Sequence, residues 1–241
     1  MIIIIFASNF YLRMYKLFHL LFLAPIMVMN AQTHEFGVFI GGSNYIGDIG
    51  STTYIAPNEP AFGILYKWNK SPRHTYRFSY TQSKIVASDL GSKEPSRYGR
   101  GYHFENNIKE VSLGLEFNFF DFNLFDFKPK FTPYIYSGIN YTIYNGLFFD
   151  VGKTKYDSNH GTVSIPMIIG VKTNINRFLI LGIEFGPRYT FADDMDGSNP
   201  TNKNLKKLGI DFGNVNNNDW YVFSGLTVTY TFGDKPCYCA K

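Results

Sequence analysis

The sequence predicts an all-β fold, an eight-stranded antiparallel transmembrane β-barrel with long outer loops, short periplasmic turns and a short C-terminal periplasmic tail. Three observations lead there. Eight segments alternate bulky apolar residues with small or polar ones. The connections between them alternate long and short. The composition is rich in aromatics and poor in charge, with 24 Phe, 18 Tyr and 22 Gly in 241 residues and 17% charged residues. A mean hydropathy of −0.13 excludes a bundle of membrane helices. So few charges exclude an acidic or basic disordered chain and argue against a nucleic-acid partner. Aromatics and glycine at this level favour strands and turns.

The first element, residues 1–31, reads as a signal peptide. Arg13 and Lys16 precede a stretch, 17–29, that is apolar apart from His19, and the small Ala31 follows it. A charged region, an apolar run and a small-residue cleavage site mark export. The apolar run is too short to cross a bilayer as a helix. Met14 is a second candidate start, because it opens a signal of more usual proportions. Cleavage after Ala31 leaves a chain with 21 basic and 19 acidic residues, too balanced for long-range steering. No cysteine lies near that site, so a lipid on a leading Cys is excluded.

The barrel, 32–232, follows. Its strand-period segments are 35–46, 61–68, 73–85, 107–120, 132–144, 162–173, 178–189 and 220–232. Successive strand side chains point to opposite faces. In the fourth segment Val111, Leu113, Leu115, Phe117 and Phe119 share one face, against Glu110, Ser112, Gly114, Glu116 and Asn118 on the other. The second, third, sixth and seventh segments divide the same way. Pro166 cannot donate to a ladder and predicts a break or bulge in the sixth.

A soluble sandwich also alternates, so the connections decide. Long ones, 47–60, 86–106, 145–161 and 190–219, follow strands one, three, five and seven. Short ones, 69–72, 121–131 and 174–177, follow strands two, four and six. An even strand count with this alternation puts every long loop on one rim and both termini on the other, the pattern of an outer-membrane barrel. Tyr66, Trp68, Tyr76, Tyr134, Tyr136, Tyr141, Tyr144, Tyr189, Trp220 and Tyr230 fall near strand ends, as expected of interfacial girdles. The last strand ends on Phe232, a terminal aromatic typical of barrels delivered to the outer membrane of a Gram-negative bacterium.

An eight-stranded barrel is just wide enough for side chains to fill. The inward set includes Lys67, Arg77, Glu110, Glu116, Lys172, Glu184 and Arg188, four bases and three acids that pair most simply as a structural network. A conducting pore is not expected. Nor is catalysis. The five histidines show no ligand spacing, and no nucleophile motif or phosphate loop is present. Glu116 and Glu184 are explained as lumen structure, leaving His103 and His160 on outer loops as the residues a rim enzyme would use. The stretch Asp193-Asp194-Met195-Asp196-Gly197 resembles half of a calcium loop, but Lys203 stands where the closing acid belongs. It reads as a solvated turn, and 199–218 as exposed loop. No metal, cofactor or small-molecule substrate is expected.

The tail, 233–241, holds both cysteines, Cys237 and Cys239. Two residues apart, they would form a strained internal bridge. Free thiols and a disulfide to another protein are the other readings. The turn that begins Asp121-Phe122-Asn123-Leu124-Phe125-Asp126-Phe127 is unusually apolar. Phe122, Leu124, Phe125 and Phe127 are therefore candidate contacts, either to a partner or to the inner headgroup layer.

The block Glu35-Phe36-Gly37-Val38-Phe39-Ile40-Gly41-Gly42-Ser43-Asn44-Tyr45-Ile46-Gly47-Asp48-Ile49 resembles the start of PorG-type outer-membrane barrels of the Bacteroidota type IX secretion system. The stretches from Ile165 to Lys172 and from Gly182 to Arg188, the closing Tyr230-Thr231-Phe232-Gly233-Asp234 and the Cys tail support the likeness. What the resemblance implies is a non-catalytic role in secretion. Such a barrel anchors a periplasmic ring of a lipoprotein and its partner, coupled in some relatives to gliding motility, and is not the conduit. Outer-membrane lipid is the other expected partner. A surface binding or adhesion barrel acting through its long loops is the alternative, with a rim enzyme behind it.

Overall fold

The computed structural model describes residues 33–124, 130–214 and 217–233. Eight strands form one closed antiparallel barrel: β1 (Thr33–Ile46), β2 (Glu59–Asn69), β3 (His74–Ser88), β4 (His103–Asn118), β5 (Phe131–Asp150), β6 (Lys153–Asn174), β7 (Leu179–Thr190) and β8 (Trp220–Phe232). Each pairs with its sequence neighbours, and β8 closes on β1 from His34–Phe232 to Ile46–Trp220. Closure leaves no strand edge unpaired.

The alternation read from the sequence becomes two surfaces. Phe36, Ile40, Phe62, Leu113, Ile139 and Ile169 are half or more exposed and face outward. An apolar belt of this extent is incompatible with water and fits hydrocarbon. Trp68 sits near the end of β2 on the short-turn rim and Trp220 at the start of β8 on the loop rim, both at outward positions. His34 stacks between Tyr66 and Phe232 with ring centroids 5.8 and 5.6 Å away, extending the short-turn girdle. Three expected girdle members are not there. Tyr134, Tyr136 and Tyr144 are buried in the lumen, because they share strand parity with the inward Thr132, Asn140 and Thr142.

One connection differs from the sequence reading. The segment 145–161 is no loop: β5 and β6 continue upward as a hairpin past a bulge between Asn145 and Leu147. A two-residue turn joins Asp150 to Lys153, with φ of 49° at Val151 and 74° at Gly152. Both central residues of such a turn need positive φ, which favours Asn-Gly. A β-branched residue held there costs about 1–2 kcal/mol. Val151→Asn is therefore expected to slow hydrogen exchange of the hairpin amides without changing the rest of the barrel. At Pro166 the ladder breaks without a bulge. Pairing lapses from Asn140–Ser164 to Ser137–Met167 and from Pro166–Arg188 to Ile169–Phe185, yet register is kept on both sides.

The loop rim carries a folded cap. Asp89 is fully buried and accepts bonds from Gly50 N (2.9 Å), Tyr102 N (3.1 Å) and Arg100 Nε (2.8 Å). Arg97 reaches Gly47 O and Gly50 O, both at 2.9 Å, and Arg100 reaches Asp48 O at 2.7 Å. These arginines lie on the short helix Pro95–Arg100, so the second loop grips the first. Beneath them Ile49, Ile85, Phe104, Ile108, Leu147, Phe149 and Met195 form an apolar core across the mouth of the barrel.

Candidate functional site

Inside the barrel every charged residue named from the sequence is buried, and each acid meets a base. Glu116 lies 2.8 Å from Lys67 Nζ and 2.5 Å from Lys172 Nζ. Arg77 grips Glu184 with two nitrogens, at 2.5 and 3.0 Å, and Tyr134 donates to the same carboxylate at 2.6 Å. Higher up, Arg188 meets both oxygens of Glu110, at 3.1 and 3.3 Å, while Tyr221 donates to Glu110 at 2.6 Å. The first two groups join through Arg77 Nη1, 4.0 Å from Glu116, since strand pairing sets Lys67 beside Arg77.

The sequence reading missed a fourth acid. Glu35 is fully buried and accepts from Asn69 at 2.8 Å and Thr229 at 2.7 Å. It opens β1 at the same parity as the inward Phe39, so the signal was present. With it the lumen holds four acids and four bases among the described residues. Between the Arg77 and Arg188 levels lies a pocket of about 10 Å³, lined partly by Phe39, Ile168 and Phe223. That is about the volume of one water position.

The short-turn rim corrects one expectation. Phe122 is not offered to a partner. It is 5% exposed and plugs the mouth, its ring 5.0 Å from Lys172 Nζ. Leu124 is half-buried. Phe125, Phe127, Cys237, Cys239 and the leader 1–31 lie outside the described residues. Exposed apolar side chains on this rim belong instead to Phe119, Phe120, Phe131, Ile175 and Phe178.

On the loop rim the acidic stretch is not a solvated turn. Met195, Asp196 and Ser198 are fully buried, and Asp194 nearly so. Asp219 receives Met195 N at 2.9 Å and the Tyr45 hydroxyl, while its own N–H donates to Ala192 O at 2.9 Å. Asp194 accepts from Tyr144 at 2.5 Å and Thr201 at 2.7 Å, and lies 2.6 Å from His160 Nδ1. Phe212 packs on the cap core, so the 199–218 segment is anchored as well as exposed. His103 is exposed at the foot of β4 and joins none of this. Among the described residues no group of His, Cys, Asp or Glu has the arrangement of a metal site.

Burial pushes the Asp219 and Asp196 carboxyls above the ordinary aspartate range, with mutual repulsion raising Asp219 further. Burial likewise raises Asp193 from 3.8 to about 6. A carboxyl with a raised folded pKa binds its proton more tightly in the closed cap than in the open loop. The cap therefore gains stability as pH falls through 6 toward 4 and loses it as pH rises. Hydrogen exchange of the 191–199 amides, corrected for intrinsic rate, is expected to be slower at pH 5 than at pH 8.

A family model described as "Domain of unknown function (DUF6089)" matches residues 14–241. No curated protein matches the sequence. Among solved structures the chain is similar to Ail, the attachment invasion locus protein of Yersinia pestis, in complex with the heparin analogue sucrose octasulfate. That match has 13% identity and a TM-score of 0.45, covering 84% of this chain and 100% of the other. It is also similar to the N-terminal β-barrel domain of Pseudomonas aeruginosa OprF, at 12% identity and a TM-score of 0.44 over 84% and 98% of the two chains. Neisserial surface protein A gives 12% identity and a TM-score of 0.45 over 84% and 98%.

Proposed function

We propose that this chain, which belongs to the DUF6089 family of domains of unknown function, is an outer-membrane attachment point rather than a conduit. Its short-turn rim and C-terminal tail face the periplasm and hold a ring of a lipoprotein and its partner, as part of type IX secretion. The observation that carries the reading is the occupied interior: buried paired charges crowd the lumen, and Phe122 and the loop cap lie across its ends. A barrel with so crowded a lumen is suited to act through its surfaces. The resemblance of its opening block and Cys tail to PorG-type barrels supports the choice of partner, and the exposed Phe119, Phe120, Phe131, Ile175 and Phe178 supply apolar area on that rim.

Capture from cross-linked membranes tests it, followed by identification of the bound protein. The expected result is a periplasmic lipoprotein that is lost on truncation after Gly233. A thiol-sensitive higher-mass band that vanishes in Cys237→Ser or Cys239→Ser would show the link to be covalent. Capture unchanged by truncation and by Phe120→Asp with Phe178→Asp would refute the attachment role.

The second reading, surface binding through the cap, is favoured by the cap's folded core. Removing the largely exposed 203–209 segment leaves Met195 and Asp219 in place. It should abolish surface binding under that reading and spare partner capture under the first.

A further inference from the structure

We infer that the loop rim carries a serine hydrolase site, Ser158–His160–Asp194, acting on a carboxylic ester of an amphiphile in the adjoining lipid leaflet. This departs from the expectation of no catalysis and is independent of which partner the other rim holds. Ser158 and His160 are two apart in β6, with Ser158 in the bulge where Asp157 and Ser158 stand opposite Gly146. Ser158 Oγ lies 2.8 Å from His160 Nε2, and Asp194 Oδ2 lies 2.6 Å from His160 Nδ1. Nε2 thus meets the Ser158 hydroxyl and Nδ1 the carboxylate, with Thr201 Oγ1 a longer 3.3 Å from Nδ1. That is the order that lets imidazole take a proton from serine while the acid fixes its tautomer.

The imidazole is held on every side. The bulge between Asn145 and Leu147 places Gly146 against it, where a Cβ would come 2.5 Å from His160 Cε1. Only a residue without a side chain lets the ring lie on the β5 backbone, and bulges commonly re-aim side chains beside active sites. Tyr144 meets the ring edge-on at 5.9 Å and 88° and donates to the other Asp194 oxygen at 2.5 Å. Asp194 is itself nearly buried, with Thr201 as a third donor. Ser158 is exposed, so the nucleophile is accessible.

A cavity of about 720 Å³ adjoins the site, with His160 and Asp194 in its wall. Phe191, more than half exposed, and Lys206 also line it. Phe191 packs on Tyr189, which packs on Trp220, so the cavity wall is continuous with the aromatic girdle. An acyl chain on that girdle would bring its ester to Ser158, with the Lys206 ammonium available to an anionic headgroup or a developing oxyanion.

In the reaction Ser158 Oγ attacks the carbonyl carbon and His160 Nε2 takes the hydroxyl proton. The carbon–oxygen bond to the alcohol then breaks, and the alkoxide leaves with that proton. Water, deprotonated by His160, adds to the acyl-serine; the bond to Ser158 Oγ breaks, His160 returns the proton to that oxygen, and the carboxylic acid leaves.

The test uses the full mature chain folded in lipid nanodiscs, each variant shown folded by its heat-modifiable gel mobility. A fluorophosphonate probe should form a Ser158 oxygen–phosphorus bond with loss of fluoride. His160→Gln should label at least about 100-fold more slowly and Asp194→Asn about 1,000-fold more slowly. Gly146→Ala should also slow labelling. The rate should rise with pH in the wild type and lose most of that dependence in His160→Gln, a signature that a merely structural histidine would not give. p-Nitrophenyl laurate should be cleaved in preference to the acetate. A folded barrel with no adduct at Ser158, or with equal labelling in His160→Gln, overturns the proposal. Cleavage of the acetate alone overturns the amphiphile ester.

Discussion

Glu116→Ala is expected to destabilise the barrel by about 3–5 kcal/mol, more than any other single change in the lumen. Removing one partner of a buried ion pair leaves an uncompensated charge, which costs that much. Here one carboxylate faces two ammonium groups, Lys67 at 2.8 Å and Lys172 at 2.5 Å, with Arg77 Nη1 at 4.0 Å. All of these side chains are at least 96% buried, so water cannot take over. The urea midpoint of the folded-to-unfolded gel shift measures the loss. Adding Lys67→Met and Lys172→Met to the same variant should restore much of it, since matched apolar replacements of a buried ionic group are often neutral or stabilising. If the triple variant is no more stable than Glu116→Ala, the network is not what sets the lumen's stability.

Met195→Ala is expected to cost about 2–5 kcal/mol of cap stability, the range for truncating a fully buried methionine. Met195 is 0% exposed, and its backbone is held at both ends: its N–H meets Asp219 and its carbonyl receives Asn106 Nδ2 at 2.7 Å. The loss should be local. Limited proteolysis should cut within 191–214 many-fold faster than in wild type, while the urea midpoint of the barrel shifts little. A uniform loss across both readouts would mean that cap and barrel unfold as one unit.

The barrel was legible because its information is local. Alternation assigns each strand residue to one of two faces, and the rhythm of connections assigns each turn to a rim. Lys67, Arg77, Glu110, Glu116, Lys172, Glu184 and Arg188 follow from parity alone, and Glu35 would have followed from the same rule. The partnerships did not follow. Arg77 and Glu184 are 107 positions apart, and only barrel closure makes them neighbours. The cap was hidden for a different reason. Asp89, Asp194 and Asp219 look like ordinary loop acids, because burial there depends on contacts among segments that no period connects. The same holds for the tyrosines of β5, whose residue type suggested an interface and whose parity, the better guide, put them inside. At the loop rim the i, i+2 spacing of Ser158 and His160 was visible, but the carboxylate that completes the arrangement arrives from 34 residues away.

The two tryptophans give the molecule a built-in optical gauge. Trp68 and Trp220 are the only indoles in the chain, and they lie at outward positions on opposite rims. Emission from the folded protein therefore reports two boundaries and nothing from the lumen. Lipids brominated at different acyl depths would quench both indoles most strongly near the headgroups. Trp68→Phe and Trp220→Phe would assign each leaflet its own signal, so the order in which the two rims reach lipid during insertion can be timed without any label.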